Sequence, residues 1–178
     1  MSDPARQQRF LDFSAAVTAF TVYDLQATGM VEDYIRTVDE IVGPATLDAL
    51  LAAYGRAVED GASPAGRKAA ISREVMGDAK LGPIARNIVK LWYSGTWNRL
   101  PHGWSENHGP APADRTFVVS PSSYIEGLLW KAIGAHPAGA KAPGYGSWAH
   151  PPRIPDFEGD PARPDFEGNP ARPDSAPV

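Results

Sequence analysis

The fold of this chain is decided by IARNIVKLWYSG, residues 84–95. Its apolar side chains recur at helical spacing, with one stripe formed by Ile84, Ile88 and Leu91. Further apolar and aromatic side chains widen this stripe: Val89, Trp92 and Tyr93. A helix that is apolar on more than one side is typical of a helix buried by several neighbours. We therefore expect a helix from about residue 81 to residue 94 at the centre of a helical domain, and we favour the core over an interface for Trp92.

Four earlier segments carry the same apolar periodicity together with helix-end signals. Gly43 closes one helix and Pro44 suits the first turn of the next, so these two helices are expected to be packed neighbours. Ser63 and Pro64 suit the cap and the first turn of a later helix. The expected helices span about residues 7–20, 31–42, 44–58 and 64–76.

A second decisive stretch is SSYIEGLLWKAIGAHPAGAKAPGYGSW, residues 122–148. Ser123 and Glu126 form an S-x-x-E capping box, which predicts a last helix that ends at Gly134. The prolines that follow prevent the helix from continuing. Two aromatic side chains beyond the helix are costly to leave in water: Tyr145 and Trp148. We expect an extended arm that lies along another surface.

Residues 95–116, between these two helices, show no period, and prolines and glycines alternate there with Trp97 and Trp104. A connection of this length in a small domain is usually functional or docked on a neighbour. The β-branched and aromatic cluster at residues 117–119 is too short to predict a sheet. We therefore predict an all-α fold, an irregular bundle of about five to six helices with a long loop and an extended C-terminal arm.

Composition limits the class of protein. A content of 43% hydrophobic and 21% charged residues suits one globular domain, which we place at residues 1–150. The chain has no cysteine, so disulfides and thiolate metal sites are excluded. A net charge of only −4 argues against a nucleic-acid partner, and no apolar run reaches the roughly 20 residues of a membrane span. The opening MSDPARQQRF matches neither a signal peptide nor a twin-arginine leader.

Residues 151–178 contain a tandem repeat with a period of nine, PDFEGDPAR followed directly by PDFEGNPAR. Each copy offers one phenylalanine among prolines, glycine and charged residues, so the repeat cannot build a core. We predict a disordered tail. The repeat is either a duplicated linker or a short docking motif carried by Phe157 and Phe166.

Three motifs carry a resemblance to a known family. They are WY-x-G at residues 92–95, Y-x-E-G-L-x-W at residues 124–130 and H-P-x-G-x-K-x-P-G-Y-G-x-W at residues 136–148. Together they resemble the small subunit of bacterial membrane-bound, FAD-dependent sugar and polyol dehydrogenases. That group includes the sorbitol, gluconate, fructose and glucose dehydrogenase complexes.

The resemblance implies a helical, non-catalytic subunit that binds no cofactor of its own. In that family the small subunit accompanies a large flavoprotein subunit that holds FAD, often together with a multihaem cytochrome c subunit. It is needed for the assembly and export of the flavoprotein. The resemblance also implies a periplasmic location, membrane-associated through the complex, although the twin-arginine signal usual in the family does not appear in this sequence. The cytoplasm is the alternative location.

The residues expected to contact such a partner are mainly aromatic. Tyr145 and Trp148 lie on the Pro- and Gly-rich arm, and aromatic anchors are typical of interface hot spots. Lys141 is either a solvated charge or an interface contact, and His136 bonds either a helix-end carbonyl or a partner. The expected partner-binding residues are Tyr93, Trp97, Trp104, Trp130, His136, Lys141, Tyr145 and Trp148.

Two rival functions come from other classes. One is a free-standing helical enzyme in which His102, Glu106 and His108 hold a divalent iron or a zinc. The other is a cytoplasmic helical adaptor or holdase. The sequence contains no G-x-S-x-G, no G-x-G-x-x-G and no phosphate loop, so a nucleophile elbow and nucleotide or flavin binding have no support within it.

Overall fold

The structure is a computed structural model that describes residues 3–137 and residue 140. This part of the chain is an irregular helical bundle with one two-stranded sheet, which confirms the predicted all-α class. The elements are α1 (Pro4–Thr18), α2 (Val22–Ala27), α3 (Val31–Val42), α4 (Pro44–Asp60), α5 (Pro64–Ile71), a π turn (Ser72–Met76), α6 (Leu81–Ser94), β1 (Thr96–Trp97), α7 (Trp104–His108), β2 (Phe117–Val118), α8 (Pro121–Ile125) and α9 (Leu128–Ala132). Among these helices none is both long enough and apolar enough to cross a membrane.

Helix α6 lies at the centre of the bundle, as its apolar pattern predicts. It contacts α1, α3, α4 and the π turn, and it also contacts β1, α8 and α9. The residues of its apolar stripe are fully buried: Ile84, Ile88 and Leu91. Trp92 is 1% exposed, and its ring centroid lies 4.9 Å from that of Tyr34 and 6.2 Å from that of Phe10. The place predicted for Trp92 in the core is therefore confirmed.

Charged contacts hold α1 against the junction of α3 and α4. The Arg6 guanidinium donates to both carboxylate oxygens of Asp39, at 2.7 and 2.8 Å, and to Asp48 at 2.6 Å. These bonds, led by the one to Asp39, raise the pKa of Arg6 above its usual value. At the junction Gly43 has a φ of +82°, which favours glycine, and Pro44 opens α4. The predicted packing of these two helices is confirmed.

The N-terminal helix boundaries differ from the predicted ones. Helix α1 ends at Thr18, because Ala19 adopts a left-handed φ of +64° that stops the helix before residue 20. Helix α2 follows at once and is too short to show an apolar period. A capping box marks its start: the Thr21 hydroxyl accepts from the Asp24 amide at 3.1 Å, and the Asp24 carboxylate accepts from the Thr21 amide at 3.1 Å.

The helix predicted at residues 64–76 is present but changes type along its length. Ser63 caps α5 as expected, and the last five residues widen into the π turn. This turn lies against the first turn of α6, where a Cβ on Gly82 would be 2.4 Å from the Met76 carbonyl oxygen. The same carbonyl accepts a bond from Arg86 Nη1 at 2.9 Å. Glycine at position 82 therefore permits the close packing of the π turn and α6.

Candidate docking surface

The last two helices are fixed to the end of α6 through Ser123 and Gly95. The Ser123 side chain is fully buried, and its hydroxyl donates to the Gly95 carbonyl at 3.0 Å. Gly95 has a φ of +65°, and a Cβ there would be 2.3 Å from the Ser123 carbonyl oxygen. The Val119 amide also donates to the Gly95 carbonyl, at 2.9 Å. Only glycine suits a left-handed residue at so close an approach, so this contact helps to set the position of α8 and α9.

The capping box of this region lies three residues before the predicted one. The Ser120 hydroxyl accepts from the Ser123 amide and the Ser123 hydroxyl accepts from the Ser120 amide, both at 3.0 Å. The predicted box of Ser123 and Glu126 is wrong, because Pro121 suits a first helical turn and starts the helix earlier. Gly127, with a ψ of 127°, then divides the single predicted helix into α8 and α9.

An exposed apolar face lies on these two helices. Tyr124 is 37% exposed, Leu129 is 38% exposed and Ile133 is 57% exposed, whereas the adjacent Leu128 is only 5% exposed. Leu129 and Ile133 are one helical turn apart and share a side of the helix. The half-buried Trp130, next to Leu129 in sequence, packs on Tyr124: the two ring centroids lie 5.3 Å apart and Trp130 Nε1 donates to the Tyr124 carbonyl at 2.8 Å. We call these four residues the C-terminal apolar face.

The chain turns back on itself immediately after this face. Gly134 has a φ of +66°, its amide donates to the Lys131 carbonyl, and the Ala135 amide donates to the Trp130 carbonyl at 2.8 Å. These two bonds form a Schellman motif, which ends a helix and reverses the direction of the chain. His136 is half-buried, and its Nε2 is buried with no hydrogen-bond partner in the part of the chain that the structure describes.

The connection predicted to be a structureless loop is partly regular. Strands β1 and β2 pair antiparallel, with Thr96 opposite Val118 and Trp97 opposite Phe117, and α7 lies between them in sequence. The expectation that residues 117–119 are too short for a sheet is therefore wrong. The partner strand lies some twenty residues away, and a local sequence pattern does not reveal such a pairing.

Trp97 and Trp104, predicted to bind a partner, are buried within the domain. Trp97 Nε1 donates to the Asp114 carboxylate at 2.9 Å, and Trp104 Nε1 donates to the Lys80 carbonyl at 3.0 Å. Asp114 also accepts from the Leu100 amide at 3.0 Å, so one carboxylate ties both ends of the connection together. The two indoles leave almost no surface for a partner in this conformation, and we omit them from the docking surface. Sequence reasoning did not identify Asp114.

Tyr93 is half-buried between α1 and the last helices. Its hydroxyl donates to the Thr18 carbonyl at 2.9 Å, and its ring lies 5.7 Å from that of Phe20. Its carbonyl oxygen would be 2.8 Å from a Cβ on Gly127, at the break between α8 and α9. Tyr93 therefore supports the docking surface from beneath. Three further predicted contact residues lie outside the described residues: Lys141, Tyr145 and Trp148.

An ion pair attaches α9 to α2. Lys131 Nζ donates to the Asp24 carboxylate at 2.5 Å and lies 5.8 Å from the centre of the Phe20 ring. The bonds from Lys131 and Thr21 lower the pKa of Asp24 to about 2. Both partners of the pair are accessible to water, so it fixes orientation more than it stabilises the fold.

The residues of the rival metal site are not assembled. His102 and Glu106 are exposed, while His108 is half-buried with its ring 5.5 Å from that of Trp104. Over residues 3–137 and residue 140, no group of three or more His, Asp or Glu side chains is placed to hold a metal ion. The structure therefore gives the metal-dependent alternative no geometric support.

Comparison with known proteins adds no constraint on function. No protein-family model, no curated protein and no solved structure matches this chain. The resemblance carried by the three sequence motifs remains a prediction.

Proposed function

We propose that this chain is a non-catalytic small subunit that binds, stabilises and escorts a large FAD-dependent sugar or polyol dehydrogenase subunit. The observation that carries the proposal is the C-terminal apolar face, which is exposed on helices that are fixed firmly to the domain core. In this proposal FAD belongs to the partner, and haem c belongs to a third subunit where a cytochrome is present. The complex is periplasmic and membrane-associated through its other subunits.

The chemistry of the face supports a protein partner. Exposed apolar side chains that are grouped on one part of a domain mark an interaction site more often than isolated exposed residues do. Tyr124 and Trp130 are of the residue types enriched at interface hot spots, and Leu129 and Ile133 add aliphatic surface beside them. A face held by the buried Ser123 contact is also preorganised, which lowers the entropy lost on binding.

The experiment is co-expression with the neighbouring large flavoprotein reading frame, followed by affinity capture of the small subunit. A double variant, Leu129→Glu with Ile133→Glu, places charge on the face. We expect it to recover at least tenfold less flavin absorbance and dye-linked sugar dehydrogenase activity than the unaltered chain, because burying one unpaired carboxylate costs at least about 1.4 kcal/mol.

The matched control is Val118→Glu, which changes a residue of similar exposure on β2. We expect this variant to recover the flavoprotein as well as the unaltered chain does. The proposal is wrong if both variants recover equal amounts, if the unaltered chain recovers no flavoprotein, or if it oxidises sugar alone.

A helical adaptor or holdase is the second candidate, and the same exposed face favours it. A holdase binds many unfolded clients through apolar surface, so it would suppress the heat-induced aggregation of an unrelated protein. Light scattering with such a client separates the two functions. We expect no suppression by the isolated chain, because the C-terminal apolar face consists of four side chains and an unfolded client exposes many more.

A further inference from the structure

The C-terminal apolar face lies directly beside the point where the described chain ends. We propose that in the isolated protein segment 141–148 lies across this face through Tyr145 and Trp148, and that a partner must displace it. The contact forms within one chain and needs no partner. The second part of the proposal, that a partner displaces segment 141–148, rests on the proposed function.

The direction of the chain after α9 favours this contact. The Schellman motif at Gly134 turns the chain back, and Pro137 is buried. The Ala140 amide donates to the Pro137 carbonyl at 3.2 Å, so Ala140 lies close to Pro137. The chain therefore enters segment 141–148 close to the domain surface.

The length of the segment is sufficient to cover the face. Tyr145 is the fifth residue after Ala140 and Trp148 is the eighth, so the two residues reach about 17 and about 27 Å from Ala140 when the chain is extended. Leu129 and Ile133 are only about 6 Å apart along the helix axis. Both reaches exceed this separation, so the segment is long enough to span the face.

The chemistry of the segment matches that of the face. Tyr145 and Trp148 are its large apolar residues, and Lys141 is its one charged residue. A short tether gives the segment an effective concentration of about millimolar at the face, so even a weak contact is populated. The buried Nε2 of His136, unpaired among the described residues, adds an acceptor for the hydroxyl or indole N–H that the segment carries.

The absence of cysteine from the natural chain gives a direct test. A Ser147→Cys variant of the full chain carries one nitroxide label, and paramagnetic broadening is measured on assigned methyl signals. We expect the Leu129 and Ile133 methyls to be broadened at least fivefold more than those of Leu50, which is buried on α4. Adding Tyr145→Ala and Trp148→Ala to the labelled chain should reduce this broadening at least threefold.

Each control makes the same type of change as the variant with which it is compared, at a site outside segment 141–148. Phe157→Ala with Phe166→Ala removes two aromatic rings farther along the chain and should leave the broadening unchanged, and a label at Ser175→Cys should not produce it. Equal broadening of Leu50 and the face, or equal broadening by the label at position 175, would overturn the inference. Broadening that disappears on dilution would assign the face to a second copy of the chain and would also overturn it.

Failure of this inference is distinguishable from failure of the proposed function. The label is measured on the isolated chain, whereas affinity capture measures recovery of the flavoprotein. If capture succeeds without broadening, the face binds its partner and segment 141–148 does not compete for it. If broadening occurs without capture, segment 141–148 covers the face but the proposed partner is wrong. When both hold, saturating flavoprotein should return the broadening to the level of Leu50.

Discussion

Helices α6 and α9 each carry a tryptophan beside leucine, LWYS in the first and LLWK in the second, yet they meet opposite surroundings. Around α6 the apolar residues are buried by α1, α3, α4 and the π turn. In α9, Leu128 is buried while Leu129 is exposed, and Ile133, which directly follows the helix, is exposed as well. Similar apolar composition therefore builds a core where helices surround it and a docking surface where they do not.

The cause of the difference is the way in which α9 is attached. It contacts α6, and its ion pair with Asp24 reaches α2, while the side bearing Leu129 and Ile133 remains exposed. The attachment of α9 depends on a few close backbone approaches, whereas α6 is held in place by many apolar contacts. Substitutions at the closest backbone approaches are accordingly expected to lower the free energy of unfolding most.

The strongest test of this attachment is Gly95→Ala. The substitution adds the strain of a left-handed φ to a clash with the Ser123 carbonyl, and we expect the free energy of unfolding to fall by about 4 kcal/mol. Urea denaturation followed by circular dichroism measures it. Gly29→Ala is the matched control, because Gly29 has a φ of +69° with nothing within 4 Å of the added methyl. We expect the control to lose about 1 kcal/mol, and equal losses would show that the close approach to Ser123 has no importance.

The next test separates two adjacent leucines. Leu128→Ala leaves a cavity between α9 and the domain, and we expect it to lower the free energy of unfolding by about 3 kcal/mol. Leu129→Ala removes a side chain that already faces water, and we expect a loss of about 0.5 kcal/mol. Thermal and urea denaturation of both variants measure the difference. If the two losses are alike, the two sides of α9 are not distinct and the contrast with α6 fails.

Asp114→Ala tests residues 95–116, which connect α6 with the last two helices. The substitution removes the acceptor of the Trp97 indole and of the Leu100 amide, and we expect a loss of about 2 kcal/mol because both buried donors are left unpaired. The change in Trp97 surroundings should also shift the tryptophan emission spectrum. Glu106→Ala, an exposed acid in the same connection, is the control and should change stability by less than about 0.5 kcal/mol.

The sequence predicts those parts of the fold whose signals are local. The spacing of Ile84, Ile88 and Leu91 predicts α6, and the pair Gly43 and Pro44 predicts the junction of α3 and α4. Both depend on residues within a turn or two of one another. The structure confirms them because no distant contact opposes the local preference.

The remaining features depend on contacts between distant residues. The burial of Trp97 needs Asp114, seventeen residues away, and the pairing of Thr96 needs Val118. The exposure of Leu129 depends on the break at Gly127, where the carbonyl of Tyr93 approaches. Periodicity carries no information on such approaches, so it does not reveal that Leu128 belongs to the core and Leu129 to the docking surface.

The smallest effect on the free energy of unfolding is expected at the end of the chain, beyond α6 and α9. The tandem repeat offers one phenylalanine per nine residues among prolines and charges, a composition that buries too little surface to stabilise a fold. Deleting residues 155–178 should therefore change the free energy of unfolding by less than about 0.5 kcal/mol and leave the thermal midpoint almost unchanged. Differential scanning calorimetry of the shortened and full chains measures this. The deletion keeps segment 141–148, so a drop of several degrees would show that the repeat itself packs on the domain and that the stabilising surface extends past the C-terminal apolar face.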